Sequence, residues 1–351
     1  MGTTAAKLLD DIIHQYQLTP FNEMNGPITT TRLVIASRTA LFGFRYAEWD
    51  SPLFTVYSPS SQMISALTAI TTTSDNFLAF TTNTGWLHLL DNKGGCLAQR
   101  QISQSPLWSI ITASVRERPL LFITASDQMI YVCDTRGELL GIIETPAPVF
   151  SLAIKRIEDQ TILCGGLQNR NRVCVWNLST IIQQQDATPM ATLRGGRQPA
   201  FATTFIETSD SIWLAHGCWD NRLYLYKWPP NNGRKLTSPF LQLEAAHPIY
   251  SIQSVAFKDN LYLLVSTANG DVLGWNITNG KNSDVITVAR LETRVKYMKA
   301  VKLREQWYLF AGDENGRLTV AHLTDNLYFS EIVNTFTINH SGIQGVEIIN
   351  G

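Results

Sequence analysis

The chain has 351 residues, of which 44% are hydrophobic and 16% are charged, and its formal net charge is -1. Two domains would be the usual outcome at this length, but closed all-β structures often run this long as one domain. A nearly neutral chain is not expected to be a general nucleic-acid binder, because such proteins are normally basic.

The five cysteines lie at positions 96, 133, 164, 174 and 218, without the paired spacing of a zinc site. We therefore expect no metal and no cofactor. The N-terminus lacks a basic segment followed by an apolar run, so no secretory signal is predicted. No stretch reaches the ~18 apolar residues of a membrane span. The expected location is intracellular, in the cytoplasm.

An amphipathic helix is the first predicted element, within residues 1–19. Thr3 or Thr4 can cap it, and one face carries Leu8, Leu9, Ile12, Ile13 and Tyr16. This apolar face has two candidate roles: packing on the rest of the chain, or insertion into a groove on a partner. Residues 20–31 contain Pro20, Gly26 and Pro27 and are predicted to be a linker.

A phrase recurs in the remaining chain. Its clearest copies are Ser105-Pro-Leu-Trp-Ser-Ile, Ala147-Pro-Val-Phe-Ser-Leu and His247-Pro-Ile-Tyr-Ser-Ile. Each copy is followed by a second apolar run, a tight polar turn such as Asn269-Gly270, and a third, alternating run. A fourth, more variable run completes the unit. Four antiparallel strands are the content of one propeller blade.

The second strands of these units can be counted along the chain. They are predicted at Leu33–Ser37, Phe77–Thr82, Leu120–Ser126, Ile162–Leu167, Ile212–Gly217, Tyr262–Ala268 and Trp307–Asp313. Their spacing of roughly 42 to 50 residues is typical of one blade each. The first unit lacks an innermost strand, and the chain after His340 has the opening pattern with nothing behind it. We therefore predict an all-β, seven-bladed propeller over residues 32–351, closed by the C-terminal strand.

Two phrases, Pro148-Val-Phe-Ser-Leu-Ala and Val173-Cys-Val-Trp-Asn, resemble WD40 repeats. The resemblance covers about residues 28–349 and is degenerate. The family's Trp-Asp pair is replaced by Trp176-Asn177 and Trp275-Asn276, and only His247 stands where the family has its turn histidine. The resemblance implies a WD-repeat scaffold that holds protein partners within a complex.

Catalytic motifs are missing from the sequence. It contains no GxSxG, HExxH, Walker A or GxGxxG pattern. Asp313-Glu-Asn-Gly is predicted to be a hairpin turn, since it lacks the spaced oxygen ligands of a calcium loop. We therefore expect the chain not to be an enzyme.

Propeller geometry predicts that two sets of turns lie on the same face of the ring, which we call the upper face. The turns that lead into innermost strands carry Arg194, Arg197, His247, Arg294 and Lys296. The turns between second and third strands carry Arg38, Arg170, Arg172, Asp220 and Arg222. These cations could steer an acidic peptide, a carboxylate or a phosphate. The alternative is that they only solvate loops.

Aromatic residues recur in the opening strands, at Trp108, Phe150, Phe201, Tyr250 and Tyr297. Packing between blades is the favoured interpretation. The alternative is that some rings face the channel mouth, where aromatic and arginine side chains could form a binding hot spot. Trp219 lies in a hairpin turn and is predicted to be exposed.

The leading hypothesis is a non-catalytic scaffold, a subunit or adaptor of a larger complex, that binds a protein partner, with an acidic segment as one expected feature of that partner. The predicted contact residues are Arg38, Arg170, Arg172, Arg197, Trp219, Arg222, Arg294 and Lys296 on the upper face, with Leu9, Ile12, Ile13 and Tyr16 on the N-terminal helix. One alternative is a small-ligand sensor or enzyme that uses the channel mouth. A second is a binder of single-stranded nucleic acid.

Overall fold

The computed structural model describes residues 32–45, 54–59, 62–71, 76–115, 118–168, 172–184, 187–229, 236–257, 259–278, 280, 284–303, 306–324, 327, 331–338 and 341–349. Within them the chain forms seven sheets, arranged as the blades of one propeller. The predicted fold class is confirmed. The predicted N-terminal helix and linker lie outside the described residues.

The strands of the first four blades follow the chain, with one exception in blade 1. Blade 1 contains β1 (Arg32–Ser37), β2 (Ala40–Arg45), β3 (Phe54–Tyr57) and the last strand, β29 (Ile343–Ile349). Blade 2 contains β4 (Ile64–Thr71), β5 (Asn76–Thr82), β6 (Trp86–Asp91) and β7 (Cys96–Gln101). Blade 3 contains β8 (Leu107–Val115), β9 (Arg118–Ala125), β10 (Met129–Cys133) and β11 (Leu139–Glu144). Blade 4 contains β12 (Val149–Ile157), β13 (Gln160–Leu167), β14 (Arg172–Asn177) and β15 (Ala191–Arg194), with helix α1 (Leu178–Gln184) between the last two.

Blades 5 to 7 repeat the same order. Blade 5 contains β16 (Ala200–Glu207), β17 (Ile212–Cys218), β18 (Arg222–Trp228) and β20 (Leu241–Glu244). Blade 6 contains β21 (Ile249–Phe257), β22 (Asn260–Thr267), β23 (Asp271–Asn276) and β24 (Ile286–Arg290). Blade 7 contains β25 (Val295–Leu303), β26 (Gln306–Asp313), β27 (Arg317–Leu323) and β28 (Glu331–Thr337). All seven predicted second strands are present in their blades.

Blade 4 departs from the predicted four strands. A two-residue strand, β19 (Leu236–Thr237), pairs in parallel with β15 and adds a fifth strand to the blade's outer edge. Its segment lies between β18 and β20 of blade 5, so it links the outer edges of two blades. The repeat pattern did not predict it, because a two-residue pairing has no periodicity.

The ring is closed as predicted, by the pairing of β29 with β1. The two strands are antiparallel, and their register runs from Arg32 opposite Ile349 to Ser37 opposite Ile343. The innermost strand of each blade also contacts those of both neighbours around the channel. The first blade therefore takes its innermost strand from the far end of the chain, and this strand covers the edge of β1 that would otherwise be unpaired.

Seven hydrophobic clusters fill the spaces between neighbouring blades. The cluster at the seam between blades 7 and 1 joins Phe310 and Leu318 of blade 7 to Leu33, Ile35 and Ile343 of blade 1. Four cysteines, at positions 133, 164, 174 and 218, are buried among these apolar side chains, whereas Cys96 is exposed. Among the described residues, no helix is long and apolar enough to cross a membrane.

We predict that Ile343→Ala lowers the free energy of unfolding by about 2–5 kcal/mol, because it leaves a cavity in the closing seam. Ile343 is fully buried. The matched control is its neighbour Gln344→Ala, a partly exposed channel residue, which should cost less than about 0.5 kcal/mol. Chemical denaturation measures both. Equal losses for the two variants would contradict the assigned role of β29.

Candidate functional site

One hydrogen bond is repeated in all seven blades at the upper face. The first residue after each second strand donates its backbone N–H to a carbonyl just before the neighbouring innermost strand, at 2.8–3.2 Å. The accepting carbonyls belong to Met63, Pro106, Pro148, Pro199, Pro248, Arg294 and Gly342. Four of these seven are prolines, which lack an N–H but keep the carbonyl that this bond uses. The recurring proline of the sequence is therefore compatible with this bond.

Each innermost strand has a β-bulge two residues after the one whose carbonyl accepts this bond. In every innermost strand the pairing register shifts there, so that one residue is left without a partner across the strand pair. A bulge of this kind redirects the side chain of the extra residue. The seven bulged residues all line the mouth of the channel, and we call them the mouth ring: Ser65, Trp108, Phe150, Phe201, Tyr250, Lys296 and Gln344.

The mouth ring surrounds a cavity of about 770 Å³. This volume lies within the range of roughly 300–1,000 Å³ found for ligand pockets. Below the ring, the hydroxyls of Ser109, Ser151 and Ser251 line the wall. The mouth is therefore a walled pocket with both apolar and polar groups.

Aromatic rings occupy one half of the mouth, in blades 3 to 6. Trp108 stacks on Phe150 with ring centroids 4.7 Å apart, Phe150 stacks on Phe201 at 4.1 Å, and Phe201 stacks on Trp219 at 4.9 Å. Tyr250 is tilted against Phe201 at 5.6 Å. We call these five residues the aromatic arc. Because Phe150 and Phe201 each have a neighbour on both faces, their exposed parts are ring edges.

Cations occupy the other half of the mouth. Lys296 is the bulged residue of blade 7, and Arg38 lies in the turn between β1 and β2. The Arg294 guanidinium lies 5.3 Å from the centroid of Tyr250 and pairs with Glu314 at 3.6 Å. Burial lowers the pKa of Lys296, and the nearby charges of Arg38 and Arg294 lower it further, against an opposing effect of Glu314. Arg38 and Arg294 therefore lie close enough to Lys296 to disfavour its charged form.

An ion pair between Lys299 and Glu347 lies deeper in the channel. It joins β25 to β29 across the closing seam, next to a hydrogen bond of 2.8 Å from the Tyr297 hydroxyl to the Val346 carbonyl. Burial raises the pKa of Glu347, although the Lys299 ammonium acts in the opposite direction. Strand β29 thus closes the ring, by pairing with β1, and also supplies Glu347 to the cavity.

The turn that carries Trp219 is held from below. The Asp220 carboxylate accepts a hydrogen bond of 2.7 Å from the Tyr224 hydroxyl and one of 3.2 Å from the Arg197 backbone N–H. His216 is fully buried beside the Tyr224 ring. Gly195 passes so close that an added Cβ would lie 2.2 Å from the His216 Nε2 atom. These contacts fix the backbone of the turn next to Trp219.

Four of the residues predicted from the sequence meet at the mouth: Arg38, Trp219, Arg294 and Lys296. Trp219 is exposed as predicted, with 43% of its surface accessible. It extends the aromatic arc onto the rim.

Three others lie on the upper face but do not line the cavity. Arg197 is exposed in the connection leading into β16. Arg222, at the start of β18, pairs with Glu244 at 3.7 Å, and Arg172, at the start of β14, lies opposite Arg194. Arg170 and the helix residues Leu9, Ile12, Ile13 and Tyr16 lie outside the described residues.

Two expectations about the aromatic residues need correction. Trp108, Phe150, Phe201 and Tyr250 line the channel mouth, where the favoured interpretation had them packing between blades. Tyr297 is not equivalent to them, because it follows the bulge and its hydroxyl bonds across the seam to Val346. The equivalent position in blade 7 is Lys296.

Four residues of the site were missed: Ser65, Gln344, Lys299 and Glu347. Ser65 and Gln344 could have been found by counting two residues beyond the accepting carbonyl in blades without proline. Lys299 and Glu347 carry no such local signal, since they meet only when the two ends of the ring close. Within the described part of the chain, no group of three or more His, Cys, Asp or Glu residues could hold a metal ion.

Comparisons with known proteins agree with this architecture. The structure is similar to the crystal structure of the computationally designed Ika8 protein, with a TM-score of 0.62 and 15% identity over 93% of this chain and 98% of that one. It is also similar to the C-terminal WD40 domain of Sif2, with a TM-score of 0.58 and 12% identity over 84% of this chain and 79% of that one. At these identities the likeness shows the fold alone. No curated protein matches the sequence.

The fold therefore defines the class as a seven-bladed, WD40-like β-propeller. The family model described as the RSE1/DDB1/CPSF1 second beta-propeller matches residues 82–340, more than half of the chain. The chain belongs to this family.

We predict that His216→Phe reduces the sensitivity of the fold to acid. Burial lowers the pKa of His216 from 6.5 to about 3, so between these values the unfolded chain binds a proton that the folded chain does not. Stability is therefore lost as the pH falls below 6.5, by about 2 kcal/mol between pH 7 and pH 5 for one such group. Phenylalanine removes this contribution.

Denaturant unfolding at pH 7 and pH 5 measures the difference. His247→Phe, at an exposed position, is the matched control and should keep the loss seen in the wild type. If His216→Phe loses as much stability on acidification as the wild type does, the burial of a neutral His216 is contradicted.

Proposed function

We propose that this propeller is a non-catalytic scaffold that holds a protein partner at the channel mouth, as a subunit or adaptor of a larger assembly. The observation that carries the proposal is the mouth ring. Seven bulges direct seven side chains into one cavity, and these side chains differ from blade to blade although the backbone is repeated.

Rigid display supports this role. The mouth residues lie on paired strands and short turns of a closed ring. Binding a partner there therefore costs little conformational entropy in the propeller. Trp, Tyr and Arg are the residue types most enriched at the energetic centres of protein interfaces. Trp108, Trp219, Tyr250 and Arg294 supply these types around one opening.

The composition of the cavity favours binding over catalysis. Among the described residues that line it, Glu347 is the one carboxylate, and it is paired with Lys299. General acid and base catalysis would use titratable groups placed within hydrogen-bond reach of a substrate. Hydroxyls, aromatic edges and cations are better suited to holding a partner in place.

We predict that Arg38→Glu combined with Lys296→Glu abolishes recovery of the partner in affinity purification from the native source, followed by mass spectrometry. Reversing two charges at the mouth replaces attraction by repulsion at the centre of the proposed interface. The thermal transition should stay close to that of the wild type, since neither side chain belongs to a hydrophobic cluster between blades.

Lys93→Glu combined with Arg118→Glu is the matched control, because these exposed cations lie on the opposite face. This control should recover the same partners as the wild type. Unchanged recovery with the mouth variant would contradict the proposed site.

A chain lacking residues 1–19 tests the second expected contact in the same purification. Loss of the partner in that deletion alone would place the interface on the predicted helix. We propose that the mouth carries the interface, so the deletion is expected to retain it.

A further inference from the structure

We propose that the mouth recognises the side-chain carboxylate of an Asp or Glu residue, next to an aromatic residue, in a partner segment that crosses the channel opening. This inference rests on the proposed function and names the chemistry of the same site. Both halves of the mouth lead to it, as does the position of Trp219.

The cationic half supplies attraction for a single anion. Among the described residues, the cavity is lined by Arg38, Lys296 and Lys299 against the carboxylate of Glu347, a net charge of +2 on a chain whose total is -1. Arg294 adds a further cation at the rim, paired there with Glu314. The Nε of Arg294 is buried and has no hydrogen-bond partner among the described residues. A carboxylate bound among these cations would compensate the excess positive charge of the cavity.

The aromatic half also favours an anion. An aromatic ring carries negative potential on its faces and positive potential at its edge. Both faces of Phe150 and Phe201 are covered by neighbouring rings, so these residues present their edges to the cavity. A carboxylate oxygen can approach such edges, whereas a cation would need the covered faces.

An aromatic neighbour of the carboxylate follows from Trp219. This ring stacks on Phe201 by one face and still exposes 43% of its surface at the rim. Tyr250 lies beside it at 6.4 Å between ring centroids. A ring in the partner could pack here while the adjacent Asp or Glu side chain reaches the cations.

A polyanionic chain fits this face less well. Asp127, Asp220 and Glu314 lie in turns of the upper face, in blades 3, 5 and 7. Proteins that bind single-stranded nucleic acid stack bases on free aromatic faces along a basic groove. Here Phe150 and Phe201 offer no free face, so Trp219 does not extend into a row of stacking rings, and the upper face carries carboxylates as well as cations. One carboxylate within an otherwise apolar segment matches the surface better.

The position of the cations favours a side chain over a chain terminus. Arg38 and Arg294 lie in turns at the rim, and Lys296 is at the first level of the channel. A segment that crosses the opening can therefore lower an Asp or Glu side chain between them without ending there. The experiment below distinguishes an Asp or Glu side chain from the carboxylate of a free C-terminus.

The probe is a library of random twelve-residue peptides displayed between two folded domains, so that no terminus is free, and selected on the full chain. We expect the selected peptides to be enriched in Asp or Glu within two residues of Trp, Phe or Tyr. A synthetic version with blocked ends should lose at least tenfold in affinity when its acidic residue is changed to Asn or Gln. That loss corresponds to about 1.4 kcal/mol.

Lys296→Met tests the other side of the contact, because methionine keeps the apolar stem and removes the charge. It should weaken the blocked peptide at least tenfold, and removal of the peptide's carboxylate should then have little further effect. Arg100→Met, which changes an exposed cation of β7 paired with Glu138, is the matched control and should bind as the wild type does.

Three results would overturn the inference: selected peptides without acidic enrichment, binding that requires a free C-terminus, or displacement of the peptide by a twelve-nucleotide oligothymidylate at equal concentration. Neutral peptides that bind the wild type but not Phe201→Ser would reject the carboxylate and leave the proposed function standing. Failure of the proposed function is recognised separately, by unchanged partner recovery with the doubly charge-reversed mouth.

Discussion

The structure depends on one antiparallel pairing, that of β1 with β29. Each blade has hydrophobic residues on both sides of its sheet and buries them only between two neighbours. The pairing from Arg32 opposite Ile349 to Ser37 opposite Ile343 gives blade 1 its innermost strand and gives blade 7 its second neighbour. It also brings Glu347 to Lys299, so the contact that closes the ring contributes charge to the cavity. Fold and candidate site therefore share a single seam.

A second constraint converts the ring into a site. The repeated N–H to carbonyl bond at the upper face places a bulge at the same depth in every innermost strand. Backbone geometry is thereby held constant while one side chain per blade varies, from Ser65 through Trp108 to Lys296. The result is an asymmetric mouth in a nearly symmetric ring. Aromatic edges lie on one side and cations on the other, so the proposed partner would bind in one orientation.

The sequence predicts the blades well, because their signals are local and repeated. Alternating apolar runs, Asn-Gly turns and the phrase at His247 identify strands and their order, and the unpaired strand after His340 identifies the closure. The site is predicted only in part. Arg38, Trp219, Arg294 and Lys296 follow from the positions of turns, but a bulge changes which way a residue points without changing the strand pattern. The sequence pattern therefore favours packing between blades for aromatic residues such as Phe150. It also selects Tyr297 as the equivalent position in blade 7, one residue after the bulged Lys296.

Lys299 and Glu347 show the limit of sequence reasoning most clearly. Each lies in an ordinary apolar strand, 48 residues from its partner along the chain. Only closure of the ring makes them neighbours, and only their burial in the channel makes them part of the site. Their pairing is a property of the assembled propeller.

Site-specific photo-crosslinking shows whether a partner is held at the mouth ring. A benzophenone amino acid at position 150 places the reactive group in the mouth ring, and the same group at position 140 lies on the exposed outer strand of blade 3. In extracts of the native source, we expect a covalent adduct with the co-purified partner from position 150 and none from position 140. An adduct from position 140 alone, with the partner still co-purified, would contradict it.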